Sequence, residues 1–182
     1  ILSDSKIDFW VLKGIELSQR NYGDPMARTF GDLDVLIPNK AQVGQLRTYL
    51  LGRGWLEKFK DEWIDDQPRR DWYMDLRHHI SLIDPVHQIS VELHWQLDYR
   101  FLKLSENKLE GILCSETDAV EILGRTVKVL KPELEYVFLL SHATRHGWSY
   151  FKWLVDLHYF TKVQLDTVKQ QYWINFFRMW GS

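Results

Sequence analysis

Ile7 to Leu12 is apolar and rich in strand formers, and it runs into Lys13-Gly14, after which Ile15 to Arg20 has the pattern of a short helix. The local expectation is strand, tight turn, helix. Tyr22-Gly23-Asp24-Pro25 carries turn chemistry and opens a loop that lasts to Gly31. Leu33, Val35 and Ile37 then alternate with Asp32, Asp34 and Leu36. A period of two sets both aspartates on one face of a strand that Pro38 ends. Asn39 is a good cap for a helix carrying Val43, Leu46 and Leu50, which Gly52 and Gly54 stop.

The highly charged stretch 55–70 reads as an irregular excursion. Two apolar runs, His79 to Ile83 and Ile89 to Trp95, flank Asp84-Pro85-Val86-His87 and predict a hairpin. Its second arm puts Glu92 and His94 on one face. A register centred on residues 85 and 86 sets His79 opposite Glu92, and a one-residue slip would turn His79 away. Residues 98–125 carry mixed helical signal ahead of a short strand from Thr126 to Leu130. Pro132 in a first turn, Glu133 and Glu135 near that positive end and Gly147 at the far end delimit a helix of about four turns. Ser149 to Phe160 and Leu165 to Trp180 predict two more. The expected fold is therefore α+β: a mixed central sheet with flanking helices over residues 1–130, then a C-terminal helical bundle over 131–182 that closes one wall of a cleft.

Composition adds limits. A chain of 182 residues with 45% hydrophobic content can bury a substantial core. A net charge of -2 gives no global field that would mark a nucleic-acid binder, so nucleic acid is not the favoured partner. The single cysteine, Cys114, can build neither an internal disulfide nor a thiolate metal site and suits a reducing compartment. No run of roughly 18 apolar residues suggests a membrane span, and no signal peptide opens the chain; the cytoplasm is the expected location. The chain begins at Ile1 and stops soon after an aromatic stretch at 172–180, which leaves room for a longer protein. Nine tryptophans are accounted for by a core built on large rings.

The chemistry lies in the carboxylates. Asp32 and Asp34 point the same way a few ångströms apart, where their repulsion is costly unless a cation lies between them. Oxygen ligands with room for water and phosphate suit Mg²⁺, and paired magnesium ions stabilise attacking and leaving oxygens in phosphoryl transfer. Mn²⁺ is the alternative ion. Glu92 is the candidate third carboxylate. Asp-x-Asp alone is weak, since such pairs also form solvated strand faces, but Gly14 at a strand-to-helix turn upstream offers a bare backbone and a helix start for phosphate.

This pattern resembles the DNA polymerase β-like nucleotidyltransferase superfamily: a glycine turn with helix, a strand with two alternating aspartates, a later strand with a third carboxylate. More closely, Val11-Leu12-Lys13-Gly14, Tyr22, Asp24-Pro25, Arg28, Gly31 to Ile37, Glu92-Leu93-His94-Trp95, His146-Gly147-Trp148 and Lys152 to Leu157 are similar to a family of uncharacterised bacterial nucleotidyltransferases, over nearly the whole chain. The resemblance implies Asp32, Asp34 and Glu92 as metal ligands, Glu92 also helping to activate an acceptor hydroxyl, and Gly14 with the backbone after it as the holder of the β and γ phosphates. The superfamily usually has serine after the glycine; here Ile15 stands there, and Lys13 is the candidate substitute for the phosphate contact. The substrates implied are an NTP, ATP among them, and an unidentified small-molecule, peptide or protein acceptor.

Arg28 has the planar fork of a second phosphate ligand, against an ordinary ion pair with Asp24 or Asp32. His94 and His79 are candidates to stand behind the carboxylates, His94 also reading as a structural histidine. His142 and His146, four apart, read as helix packing and capping. Lys152 either pairs with Asp156 on its own helix or reaches the nucleotide. Two other functions fit the same residues: a catalytically silent module that binds a nucleotide or a partner, which Ile15 supports, and a toxin or antitoxin-type enzyme that modifies protein or tRNA. The last would need a basic cleft from residues such as Arg69, Arg70, Arg77 and Arg100, which read more simply as a solvated rim.

Overall fold

The computed structural model describes residues 1–59, 63–98 and 104–164. Seven strands form one mixed sheet: β1 (Trp10–Leu12), β2 (Asp32–Leu36), β3 (Leu56–Glu57), β4 (His79–Asp84), β5 (Ile89–His94), β6 (Thr117–Ile122) and β7 (Arg125–Leu130). Their order across the sheet is β3-β4-β5-β2-β1-β7-β6. The helices are α1 (Gly14–Tyr22), α2 (Lys40–Leu51), α3 (Gln67–Leu76), α4 (Glu106–Ser115), α5 (Pro132–Arg145) and α6 (Phe151–Gln164). The fold is α+β with a central mixed sheet and flanking helices, as the periodicity predicts. The third C-terminal helix expected over 165–180, and Arg100, lie outside the described residues.

The alternation of side chains sorts the core. Val35, Val91, Leu93, Ile80 and Leu82 pack with Val43, Leu46 and Leu50 of α2 and Met74 of α3 on one face of the sheet. Trp10, Leu12, Leu36 and Leu130 point the other way, onto Ile112 and Leu113 of α4 and Leu134 and Phe138 of α5. Asp34 is the cross-strand partner of Leu12 and of Glu92, so both carboxylates share this second face. Leu17 of α1 packs with Leu139 of α5 and with Leu157 and Phe160 of α6, which ties the first helix to the last described one.

Several elements depart from expectation. Strand β1 starts at Trp10 rather than Ile7, and Ile7 and Phe9 pack on the core from an unpaired segment. Helix α1 runs on to Tyr22 and ends where Gly23 takes φ 72°, its N–H bonding the Gln19 carbonyl. The stretch read as irregular contains β3 and leads into α3, whose N-cap Asp66 accepts from the Arg69 N–H, with proline in its first turn. The mixed signal of 98–125 resolves into α4 and β6. Strands β6 and β7 join through Leu123 and Gly124, both left-handed at φ 51° and 73°. A hairpin of this type favours Asn-Gly, and Leu-Gly hides it from a sequence reading.

The β4–β5 hairpin forms in a different register. His79 pairs with His94, and Ser81 with Glu92. The partner of His79 is displaced by two residues, which preserves the side-chain period, so His79 still shares the face of Glu92 and His94.

Candidate active site

The Lys13–Gly14 turn is the tightest local feature of the site. Lys13 has φ 33° and ψ -148°, Gly14 has φ 55°, and α1 begins there. A β carbon on Gly14 would meet the Asp32 carbonyl at 3.6 Å, an ordinary contact. The backbone conformation rather than space calls for glycine. Lys13 holds a conformation that a side chain rarely adopts, which puts local strain at the mouth of the cavity.

Asp34, in β2, lies between β1 and β5, and parallel pairing sets it directly opposite Glu92, with Asp32 opposite Ser90. Lys13 Nζ reaches Asp34 Oδ1 at 2.7 Å. His94 Nε2 lies 3.0 Å from the same oxygen and 3.3 Å from Glu92 Oε2, and His79 Nε2 lies 3.8 Å from Glu92 Oε1. The other oxygen of Asp34, Oδ2, is fully buried and has no hydrogen-bond partner among the described residues. A cation is the natural complement of that arrangement. Ligand atoms of Asp34, Glu92 and His94 all come within 4.8 Å of one another, as do those of His78, His79 and His94. Asp32 lies further along the same face, lining the cavity with Asp34 and Glu92.

The cavity measures about 750 Å³ and reaches from Gly14 and the carboxylates to α5 and α6. Arg28 lines it, paired neither with Asp24 nor with Asp32. Its Nε meets both carboxylate oxygens of Asp156, at 3.0 and 2.9 Å. The Tyr22 hydroxyl donates to Asp156 Oδ1 at 3.3 Å, and Asn21 Nδ2 to the Asp156 carbonyl at 3.0 Å. Asp156 is therefore a buried anchor between α6 and the loop before β2, instead of the helical partner of Lys152. Lys152 lines the cavity, its Nζ 5.6 Å from the Tyr150 ring centroid.

A description as "Uncharacterised nucleotidyltransferase" fits the whole of this geometry: the family so described matches residues 1–180. The chain belongs to that family. Among curated proteins, none matches. Among solved structures, this nucleotidyltransferase is similar to the antibiotic-resistance factor ANT(2'')-Ia in solution, at a TM-score of 0.53 and 12% identity, covering 88% of this chain and 76% of that one. It is similar to ANT(2'')-Ia in complex with adenylyl-2''-tobramycin at a TM-score of 0.51 and 12% identity, covering 88% and 81%. At such identity the likeness concerns the fold.

Charge is arranged unevenly in the nucleotidyltransferase cavity. Burial opposes the charge of Lys13, but Asp34, Asp32 and Glu92 outweigh it and hold the ammonium above its ordinary value. Burial and the Asp34 charge raise Asp32. Asp34 and Glu92 are held low despite burial, Asp34 chiefly by Lys13 and then His94, Glu92 chiefly by His94. Bonds to those two carboxylates raise His94 against its own burial. Environment has thus driven neighbouring carboxylates apart in proton affinity, leaving Asp32 the higher.

A sequence reading misses the far wall. Arg145 donates to the Nε2 of His78, and lies 3.2 Å from His142 Nδ1 and from His146 Nε2; its Nε lies 3.7 Å from Asp98. Burial first, then neighbouring positive groups, lower His78, His79 and His142, with His79 brought to about 4. These imidazoles are neutral at pH 7 and line the cavity with Arg145. The i, i+4 spacing of His142 and His146 was the visible signal, and their partner one residue before His146 was legible only as a basic residue near a helix end.

Proposed function

We propose that this protein transfers a nucleoside monophosphate from an NTP to a hydroxyl of an acceptor, releasing pyrophosphate. The observation that carries the reading is the convergence of Asp34 and Glu92 from neighbouring strands, with Asp32, at the edge of a cavity that begins at the Gly14 turn. The family supports a transferase of this class. A structural neighbour holds adenylyl-2''-tobramycin, an adenylyl group joined to a small molecule, and we extend that kind of acceptor to this chain.

The hydroxyl oxygen of the acceptor, passing its proton to Glu92, attacks the α-phosphorus as the bond to the bridging oxygen of pyrophosphate breaks. Asp32, Asp34 and Glu92 would hold Mg²⁺, whose role is to neutralise the phosphate oxygens and orient them for in-line displacement. The donor set fits: carboxylates, with one buried oxygen lacking a partner. Gly14 and the start of α1 face the triphosphate, and Lys13 and Lys152 carry positive charge toward it. Lys13 now holds Asp34, so it moves from that carboxylate to phosphate as the nucleotide enters. Glu92, on the adjacent strand, holds the acceptor hydroxyl. The pocket's walls align the two substrates, the largest contribution a protein makes to this chemistry.

The test is divalent-dependent release of pyrophosphate, or self-labelling from labelled NTPs, in wild type and in Asp32→Asn with Asp34→Asn. Loss in the double variant is the expected result, and equal signal from both proteins overturns the reading. A second reading, a silent nucleotide-binding module, has Lys13 in its favour, because an ammonium 2.7 Å from Asp34 takes over part of a cation's work. Saturable ATP binding without any pyrophosphate release would select it.

A further inference from the structure

The ligand atoms that converge at the carboxylates are not a set of three carboxylates. They belong to Asp34, Glu92 and His94, all within 4.8 Å of one another, with Asp32 outside that group. We propose that His94 Nε2 is itself a metal ligand and that, with Asp34 and Glu92, it makes this a mixed imidazole–carboxylate centre selective for an ion of the Mn²⁺ class over Mg²⁺. The proposal rests on the metal site of the preceding reading and names the ion that site takes.

Geometry carries it first. An octahedral ion with bonds of about 2.1 Å spaces its neighbouring ligand atoms about 3 Å apart. His94 Nε2 is 3.0 Å from Asp34 Oδ1 and 3.3 Å from Glu92 Oε2, so it already has the spacing of an octahedral neighbour to each carboxylate. Strand pairing explains the convergence. Asp34 is opposite Glu92 across β2 and β5, and His94 is two residues beyond Glu92 on the same face.

A structural ion pair also accounts for those distances, but it leaves Asp34 Oδ2 fully buried with no hydrogen-bond partner among the described residues, on a side chain only 1% exposed beside a His94 that is 2% exposed. Asp34 lines the cavity wall, and His94 lies against it from behind. Asp34 Oδ1 is also crowded by two donors, Lys13 and His94, while its second oxygen has none. An ion that took over Asp34 would release Lys13 toward substrate and displace the proton of His94 Nε2 to solvent, leaving that nitrogen's lone pair to the ion.

The chemistry then selects the ion. Mg²⁺ is a hard ion that prefers oxygen and binds imidazole poorly, whereas Mn²⁺ and the later divalent metals accept imidazole with carboxylate. His79, the cross-strand partner of His94, lies 3.8 Å from Glu92 Oε1, beyond hydrogen-bond distance, and so stands outside the ligand set.

The experiment uses the whole chain, freed of metal with EDTA and titrated with MnCl₂ and MgCl₂ while bound Mn²⁺ is followed by electron paramagnetic resonance. Pulsed measurements read ¹⁴N coupling from a directly bonded imidazole. The expected result is such coupling in wild type and in His79→Gln, its loss in His94→Gln, and Mn²⁺ binding roughly tenfold or more tighter than Mg²⁺ in wild type. Absence of Mn²⁺ binding, bound Mn²⁺ without nitrogen coupling, or equal affinity for the two ions overturns the proposal. If His94→Gln does not fold by circular dichroism, the wild-type coupling with ¹⁵N-labelled histidine still decides. Pyrophosphate release separates the two readings. Turnover with nitrogen-free Mn²⁺ ends this proposal and leaves the transferase, while nitrogen coupling without turnover of any NTP does the reverse.

Discussion

Within four residues of Gly14 the chain feeds two buried acid clusters of opposite character. Lys13 goes to the front cluster of Asp34, Glu92 and His94, and Glu16 to a rear one with Arg20 and Glu135. In the rear, Arg20 Nε reaches Glu16 at 2.5 Å, its Nη2 reaches the Leu130 carbonyl at 2.9 Å and Glu135 at 3.4 Å. Burial, then the charge of Glu16, raises Glu135 well above its ordinary value, and Arg20 answers the pair of acids from within the cluster. None of the three lines the cavity. The front cluster sets Asp34, Glu92 and the neighbouring Asp32 against Lys13 and His94, and its three carboxylates line the cavity; buried carboxylate oxygens with no hydrogen-bond partner among the described residues occur in both clusters. Burial of charge is therefore no mark of function by itself; an unbalanced charge facing a cavity is.

The sharpest way to break this contrast is to neutralise one carboxylate in each cluster. Glu92→Gln is expected to lower the rate of pyrophosphate release by about a thousandfold, roughly 4 kcal/mol, and Glu135→Gln to leave it unchanged. Equal losses would erase the distinction. Arg20→Met tests the rear cluster as structure. Removing the one cation from two buried acids should cost about 3–5 kcal/mol in urea unfolding. Asp156→Asn lies between the two regions, since it keeps a hydrogen bond to Arg28 and loses the charge; about 1–3 kcal/mol and faster amide exchange in α6 are expected.

The smallest effects concern pH, with opposite signs. His79 is lowered from 6.5 to about 4, so the unfolded chain binds its proton first, and its contribution to stability is lost as pH falls from 6.5 through 4. Glu135 is raised, so the folded chain binds its proton more tightly, and its contribution is full below pH 4.5 and is lost as pH climbs toward the raised value. Melting temperature followed against pH should therefore show a shallower acid slope in His79→Gln and a shallower alkaline slope in Glu135→Gln. A swap of the two behaviours would invert the assignment of the clusters.

What the sequence by itself determined was local. The period of two placed Asp32 with Asp34, and Glu92 with His94, because strand geometry fixes which side chains share a face. Gly14 announced the turn, since its φ of 55° is cheap only for glycine. Capping and proline signals bounded α2 and α5 for the same local reason. Element ends and short pieces, such as β3 and the Leu123-Gly124 turn, carried too little pattern to read.

Only the tertiary structure decided which of these faces meet. Strands β2 and β5 are separated by two helices, a short strand and a hairpin arm, and their parallel pairing is what brings Asp34 to Glu92 and His94. The same holds for Arg28, whose partner is 128 residues away at Asp156, and for Arg145, whose partners include His78. Such contacts depend on packing between distant segments, where no local propensity acts, and a charge's partner is chosen by that geometry rather than by its neighbours in the chain.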